Sequence, residues 1–87
     1  MKLIWHEDAW ADYLGWQEQD ARTLKRINKL IKDIERNGYD GIGKPEPLKH
    51  ELSGVWSVQI DKKNRIVFRI IDNQLEIIQC GSHYRQK

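Results

Sequence analysis

The sequence predicts an α+β domain in which two N-terminal helices pack on one face of a mainly antiparallel, four-stranded sheet. Two periodicities predict it. Apolar residues recur at helical spacing as far as Ile34, then at a spacing of two from Gly54 onward. Between them, the stretch from Gly38 to Pro47 carries three of the glycines and both prolines, which marks a connector.

Lys2 to Trp5 reads as a short opening strand. Glu7 and Asp8 then put negative charge at the start of a helical pattern, where the helix dipole favours it. Trp10, Tyr13 and Leu14 form the apolar stripe of this first helix. Asp20 suits the N-cap of a second helix running to Arg36. Its apolar face is Leu24, Ile27, Leu30, Ile31 and Ile34, and its opposite face carries Arg22, Lys25, Arg26, Lys29, Lys32 and Arg36. Asn37-Gly38 ends it. Glu46 sits in the connector between Pro45 and Pro47, which restrict the chain on either side. Three strands follow, Val55 to Ile60, Arg65 to Ile71 and Leu75 to Cys80. Turn residues separate them, so they form an antiparallel meander. Ile66, Phe68 and Ile70 share one face, and a turn at Asn73-Gln74 adds Leu75 and Ile77 to it; the helices should cover this face. Arg65, Val67, Arg69 and Ile71 lie on the open face.

Residues 1–87 make one domain, since single domains usually run from about 50 to 250 residues. The net charge of +2 says little about a nucleic-acid partner, but the basic face of the second helix, Lys29 included, is a single-sign band suited to a phosphate backbone. Such a face also commonly serves only solubility. The single Cys80 has no internal disulfide partner, which fits a reducing compartment such as the cytoplasm. No apolar run approaches the roughly 20 residues that span a membrane.

The remaining polar residues suit cleavage of RNA by its own 2′-hydroxyl. That reaction needs a base, an acid and positive charge at the crowded phosphate, with no metal or other cofactor. Glu46 is an available base. His83 is a side chain whose ordinary pKa suits proton transfer near neutrality. Arg65 can bond a phosphate in two places. Tyr84 or Trp56 can stack on an unpaired base, and Lys44 and Lys49 add positive charge beside Glu46. Each residue also has an ordinary structural reading as a solvated loop, strand-end or packing residue. His6, His50 and His83 are widely spaced and no HxxH or CxxC motif accompanies them, so no metal cluster is expected.

Several blocks extend this reading to a family: Met1-Lys2-Leu3-Ile4-Trp5, Ile27 to Asp33, Gly43-Lys44-Pro45-Glu46-Pro47-Leu48-Lys49-His50, Leu52 to Ser57, Asn64-Arg65 and His83-Tyr84. Together they resemble the YoeB/Txe toxins of bacterial type II toxin–antitoxin modules, over nearly the whole chain. The resemblance implies a RelE-like fold with a curved sheet, and ribosome-dependent cleavage of mRNA in the decoding site. It makes Glu46 the general base, His83 the general acid, Arg65 the phosphate stabiliser and Tyr84 a substrate-holding residue. The products would be a 2′,3′-cyclic phosphate and a 5′-hydroxyl. The implied partners are a YefM-like antitoxin, the ribosome and mRNA, a second copy of the chain, and operator DNA only through the antitoxin complex.

The pattern is broken in two places. Family members usually carry Arg-Arg after the Trp-Ser pair, whereas this chain has Val58-Gln59, so the resemblance implies that Gln59 removes a charge next to the phosphate. Arg69, on the open face with Arg65, is the candidate replacement. The chain also continues past His-Tyr with Arg85-Gln86-Lys87. Two other functions stay open: a gyrase poison on the same scaffold, which the presence of both Glu46 and His83 disfavours, and a catalytically weakened antitoxin-binding co-repressor.

Overall fold

The computed structural model describes residues 1–48 and 54–82. In order they form β1 (Lys2–Trp5), α1 (Glu7–Gln19), α2 (Ala21–Asn37), a 3-10 turn (Gly38–Asp40), β2 (Glu46–Pro47), β3 (Trp56–Gln59), β4 (Arg65–Ile71) and β5 (Gln74–Gly81). The sheet has five strands in the order β1-β5-β4-β3-β2. Among the described strands only β1 runs parallel to its neighbour, β5. The α+β class with two helices on one face is as expected, and the additional strand is the two-residue β2. Both prolines flank Glu46 and disguise it as loop; at a sheet edge a proline's missing N–H costs nothing.

Asp20 joins the helices. Its backbone N–H closes α1 on the Trp16 carbonyl at 3.1 Å, and its carboxylate receives the Arg22 and Thr23 N–H groups of α2 at 3.1 and 3.3 Å. The core lies between helices and sheet. Ile27, Leu30, Ile31 and Ile34 of α2 meet Val58, Ile60, Ile66, Phe68, Leu75 and Ile77 there. Leu24 stays half-buried at the edge of this face. Arg26 does not point away with the other basic residues: its Nε donates to the Ile60 carbonyl.

The stripe of α1 is displaced from the expected one. Ala9, Tyr13 and Trp16 face the core, while Trp10 and Leu14 are each 44% exposed. Two bonds to the free side of β5 set this rotation: Trp16 Nε1 donates to the Cys80 carbonyl at 2.9 Å, and the Cys80 N–H donates to Asp12 Oδ2 at 3.4 Å. Trp10 instead packs its ring against Trp5 and Tyr13, at 5.5 and 5.7 Å between centroids.

The β4–β5 turn is Asp72-Asn73, one residue earlier than expected. Both residues have positive φ, 53° and 59°, as a tight type I′ hairpin requires. Leu75 and Ile77 still reach the core face. Beyond them Val67 pairs with Gln79 but Phe68 pairs with Ile77, so Ile78 is an extra residue in the ladder. That bulge reverses the alternation of β5. Cys80 turns into the core and Gln79 to the open face. Burial pushes the Cys80 thiol up to about 12.

Candidate functional site

The connector delivers Glu46 to the edge of the sheet. A Cβ on Gly43 would come within 2.5 Å of Val58, so only glycine lets the backbone lie this close to β3. The Asp33 carboxylate receives the Gly43 N–H at 3.4 Å and holds the connector against α2. Lys44 follows in the left-handed region, with φ of 56° and its N–H bonded to the Gly41 carbonyl at 3.0 Å. Its side chain is exposed. Glu46 then pairs with Ser57 and Pro47 with Trp56. The pairing continues one residue beyond, where the Leu48 N–H donates to the Val55 carbonyl at 2.8 Å.

Residues paired across antiparallel strands share a face, with Cβ atoms about 4.5–5.5 Å apart. Two rows therefore cross the open face: Glu46, Ser57, Val67 and Gln79, and beside it Gln59 and Arg65. Glu46 and Gln59 are exposed, Arg65 is half-buried, and Ser57, Val67 and Gln79 are buried. Arg65 reaches diagonally between the rows and donates from Nη1 to Ser57 Oγ at 3.0 Å. Its guanidinium thus rests on the direct partner of Glu46. Base candidate and cation candidate flank one serine hydroxyl.

Ser57 and Gln79 were missed by sequence reasoning. The period of two already puts Ser57 on the face of Gln59. Gln79 is hidden by the bulge, although a Gln among Leu75, Ile77 and Cys80 is a hint of a broken alternation. Its Nε2 donates to the Gly81 carbonyl at 3.3 Å.

Other expected residues lie elsewhere. Arg69 bonds Glu76 at 2.8 Å, and this pairing, together with a bond from His6, holds the Glu76 carboxyl below its usual range. Arg69 also lies four residues along β4 from Arg65, about 13 Å away. It does not fill the place left by Gln59. Trp56 lies on the helix side, stacked on Tyr39 at 4.2 Å and packed against the core, so it presents no platform on the open face. Lys29 is exposed on α2, away from that face, where it lines an open groove of about 390 Å³ with Lys32, Asp33, Arg36, Asn37 and Ile42. Lys49, His83 and Tyr84 lie outside the described residues. Among the described residues no three His, Cys, Asp or Glu side chains gather as metal ligands would.

A model of the YoeB-like toxin of bacterial type II toxin–antitoxin systems matches residues 5–84. The chain belongs to this family. It is 55% identical over 84 residues to Toxin YoeB of Escherichia coli strain K12, covering 97% of this chain and 100% of that protein. Among solved structures, it is similar to a YoeB–YefM complex from Staphylococcus aureus, with a TM-score of 0.89, 39% identity, and coverage of 97% and 98% of the two chains. It is equally similar to a YoeB dimer from the same organism, with a TM-score of 0.88, 40% identity and the same coverage. The chain is thus a toxin of a type II toxin–antitoxin system. In this chain the open face carries Glu46 and Arg65, with the uncharged Gln59 opposite Arg65.

Proposed function

We propose that this YoeB-family toxin is a ribosome-dependent endoribonuclease that cuts mRNA in the ribosomal A site. Glu46 takes the proton of the 2′-hydroxyl, and Arg65 stabilises the phosphate as charge builds on it. His83 protonates the departing 5′-oxygen, and Tyr84 holds the nucleotide. The ends are a 2′,3′-cyclic phosphate and a 5′-hydroxyl, and this route uses no metal. Lys44, Lys49 and Gln59 are contacts to the RNA near the site, and Lys29 meets phosphates on another surface. One observation carries the reading: the Arg65 guanidinium is held at Ser57, the cross-strand partner of Glu46.

The solved YoeB–YefM complex and YoeB dimer support an antitoxin and a second copy of the chain as partners. A YefM-like antitoxin neutralises the toxin, and the pair contacts operator DNA through the antitoxin. The ribosome supplies the substrate, and a second copy of the chain forms a dimer. The toxin works in the cytoplasm as a single domain.

The test is expression of wild type, Glu46→Ala and His83→Ala without antitoxin, with mRNA 5′ ends mapped on translating ribosomes. Cuts within codons that vanish in both variants are expected. Growth arrest that persists in both variants without such cuts would overturn the nuclease reading in favour of another target.

A further inference from the structure

We infer that Ser57 is a positioning residue, whose hydroxyl fixes the orientation of the Arg65 guanidinium for phosphate binding; the inference rests on the nuclease reading above. Ser57 is 1% exposed, a buried polar side chain in the centre of the open face. Its register partners are Glu46 on one side and Val67 on the other, so it sits between the strands that carry the carboxylate and the cation. Its Oγ accepts from Arg65 Nη1 at 3.0 Å, and it is the acceptor that the described residues supply to that guanidinium.

Arginine has a long, rotamer-rich stem but a rigid planar fork of five N–H donors. A bond at Nη1, together with the tether of the stem, restricts how that plane can turn and so narrows where the other four N–H groups point. The acceptor's chemistry also matters. A hydroxyl orients the guanidinium and leaves its charge for the incoming phosphate. The nearby Arg69 shows the opposite arrangement, with a carboxylate of Glu76 as its partner. The two arginines share a face and a strand, but only Arg65 is held by a neutral group. With Gln59 uncharged in the same row, this orientation bears on the cation that remains.

The test is single-turnover cleavage of mRNA on programmed ribosomes, at varied toxin concentration, for wild type, Ser57→Ala, Ser57→Cys, Arg65→Ala and the Ser57→Ala/Arg65→Ala pair. Cysteine is somewhat larger than serine and alanine smaller, and both lose the strong acceptor, so a shared loss in the two variants separates orientation from packing. Both Ser57 variants are expected to lower the saturated rate by about ten- to a hundredfold with half-saturation unchanged, the scale of a hydrogen bond to a charged group. The double variant should cut no more slowly than Arg65→Ala alone. A Ser57→Cys rate within about twofold of wild type, or losses that multiply in the double variant, would overturn the inference. A wild type that cuts nothing would instead defeat the nuclease reading, whereas an Arg65→Ala that cuts normally would overturn this inference and leave the nuclease reading in place.

Discussion

Arg69 donates from Nε to Glu76 Oε1 at 2.8 Å, and His6 Nε2 lies 3.3 Å from the same oxygen. An arginine already bonded to a carboxylate gives little to a phosphate about 13 Å along the strand. Arg69→Ala is therefore expected to leave ribosome-dependent cleavage within about twofold of wild type, because this half-buried pair lies away from the site and a single ion pair contributes little to the fold. A large loss of cleavage with an unchanged melting temperature would contradict this.

Gln59 stands directly opposite Arg65, on the open face. Gln59→Arg should add a second cation at the phosphate and raise the cleavage rate by about tenfold or more. Two like charges across the strands should also lower stability by about 0.2–1 kcal/mol. Rates and urea midpoints for the same preparation test both halves; an unchanged or slower rate would refute the first.

Tyr39 has two jobs. Its ring stacks between Trp56 and Phe68, at 4.2 and 5.9 Å, and its hydroxyl oxygen accepts the Ile70 N–H at 2.9 Å. Tyr39→Phe keeps the stack and orphans that partly buried N–H, so a loss of about 1 kcal/mol is expected in denaturant unfolding. A neutral result would mean that water replaces the hydroxyl.

Acid should loosen the helix junction. Hydrogen bonds from Thr23 hold the Asp20 carboxyl below its ordinary 3.8, and bonds from Asn64 do the same for Asp61. Such groups stabilise the fold fully above their unfolded values and lose that contribution as pH falls through the lower folded values. The melting temperature of wild type should decline below about pH 4, whereas Asp20→Ala should start lower and decline less. Parallel curves for the two proteins would show that Asp20 does not take part.

Legibility from sequence followed the physics of each element. The α2 face of Ile27, Leu30, Ile31 and Ile34 was readable because one helix buries one stripe. The α1 stripe was not, because its rotation depends on Asp12 and Trp16 meeting the backbone of Cys80, a contact between residues distant in the chain. The strands after Gly54 were readable by alternation until Ile78, where an inserted residue reverses the pattern and Gln79 is the one hint of it. In the site, Arg65 was placed on the open face correctly by the period of two. Ser57 could be placed but not weighted, since the diagonal reach of a long side chain is not a property of spacing. Glu46 was singled out but read as loop, because two prolines outweigh a two-residue ladder in any local reading.

That ladder also ends the sheet. Within Pro45-Glu46-Pro47 only Glu46 has a backbone N–H at all. A foreign strand seeking to extend the sheet beyond β2 would find almost no donors to copy, and templated association of chains is blocked on that side. The border that carries the Glu46 carboxylate is thus unsuited to seeding aggregates.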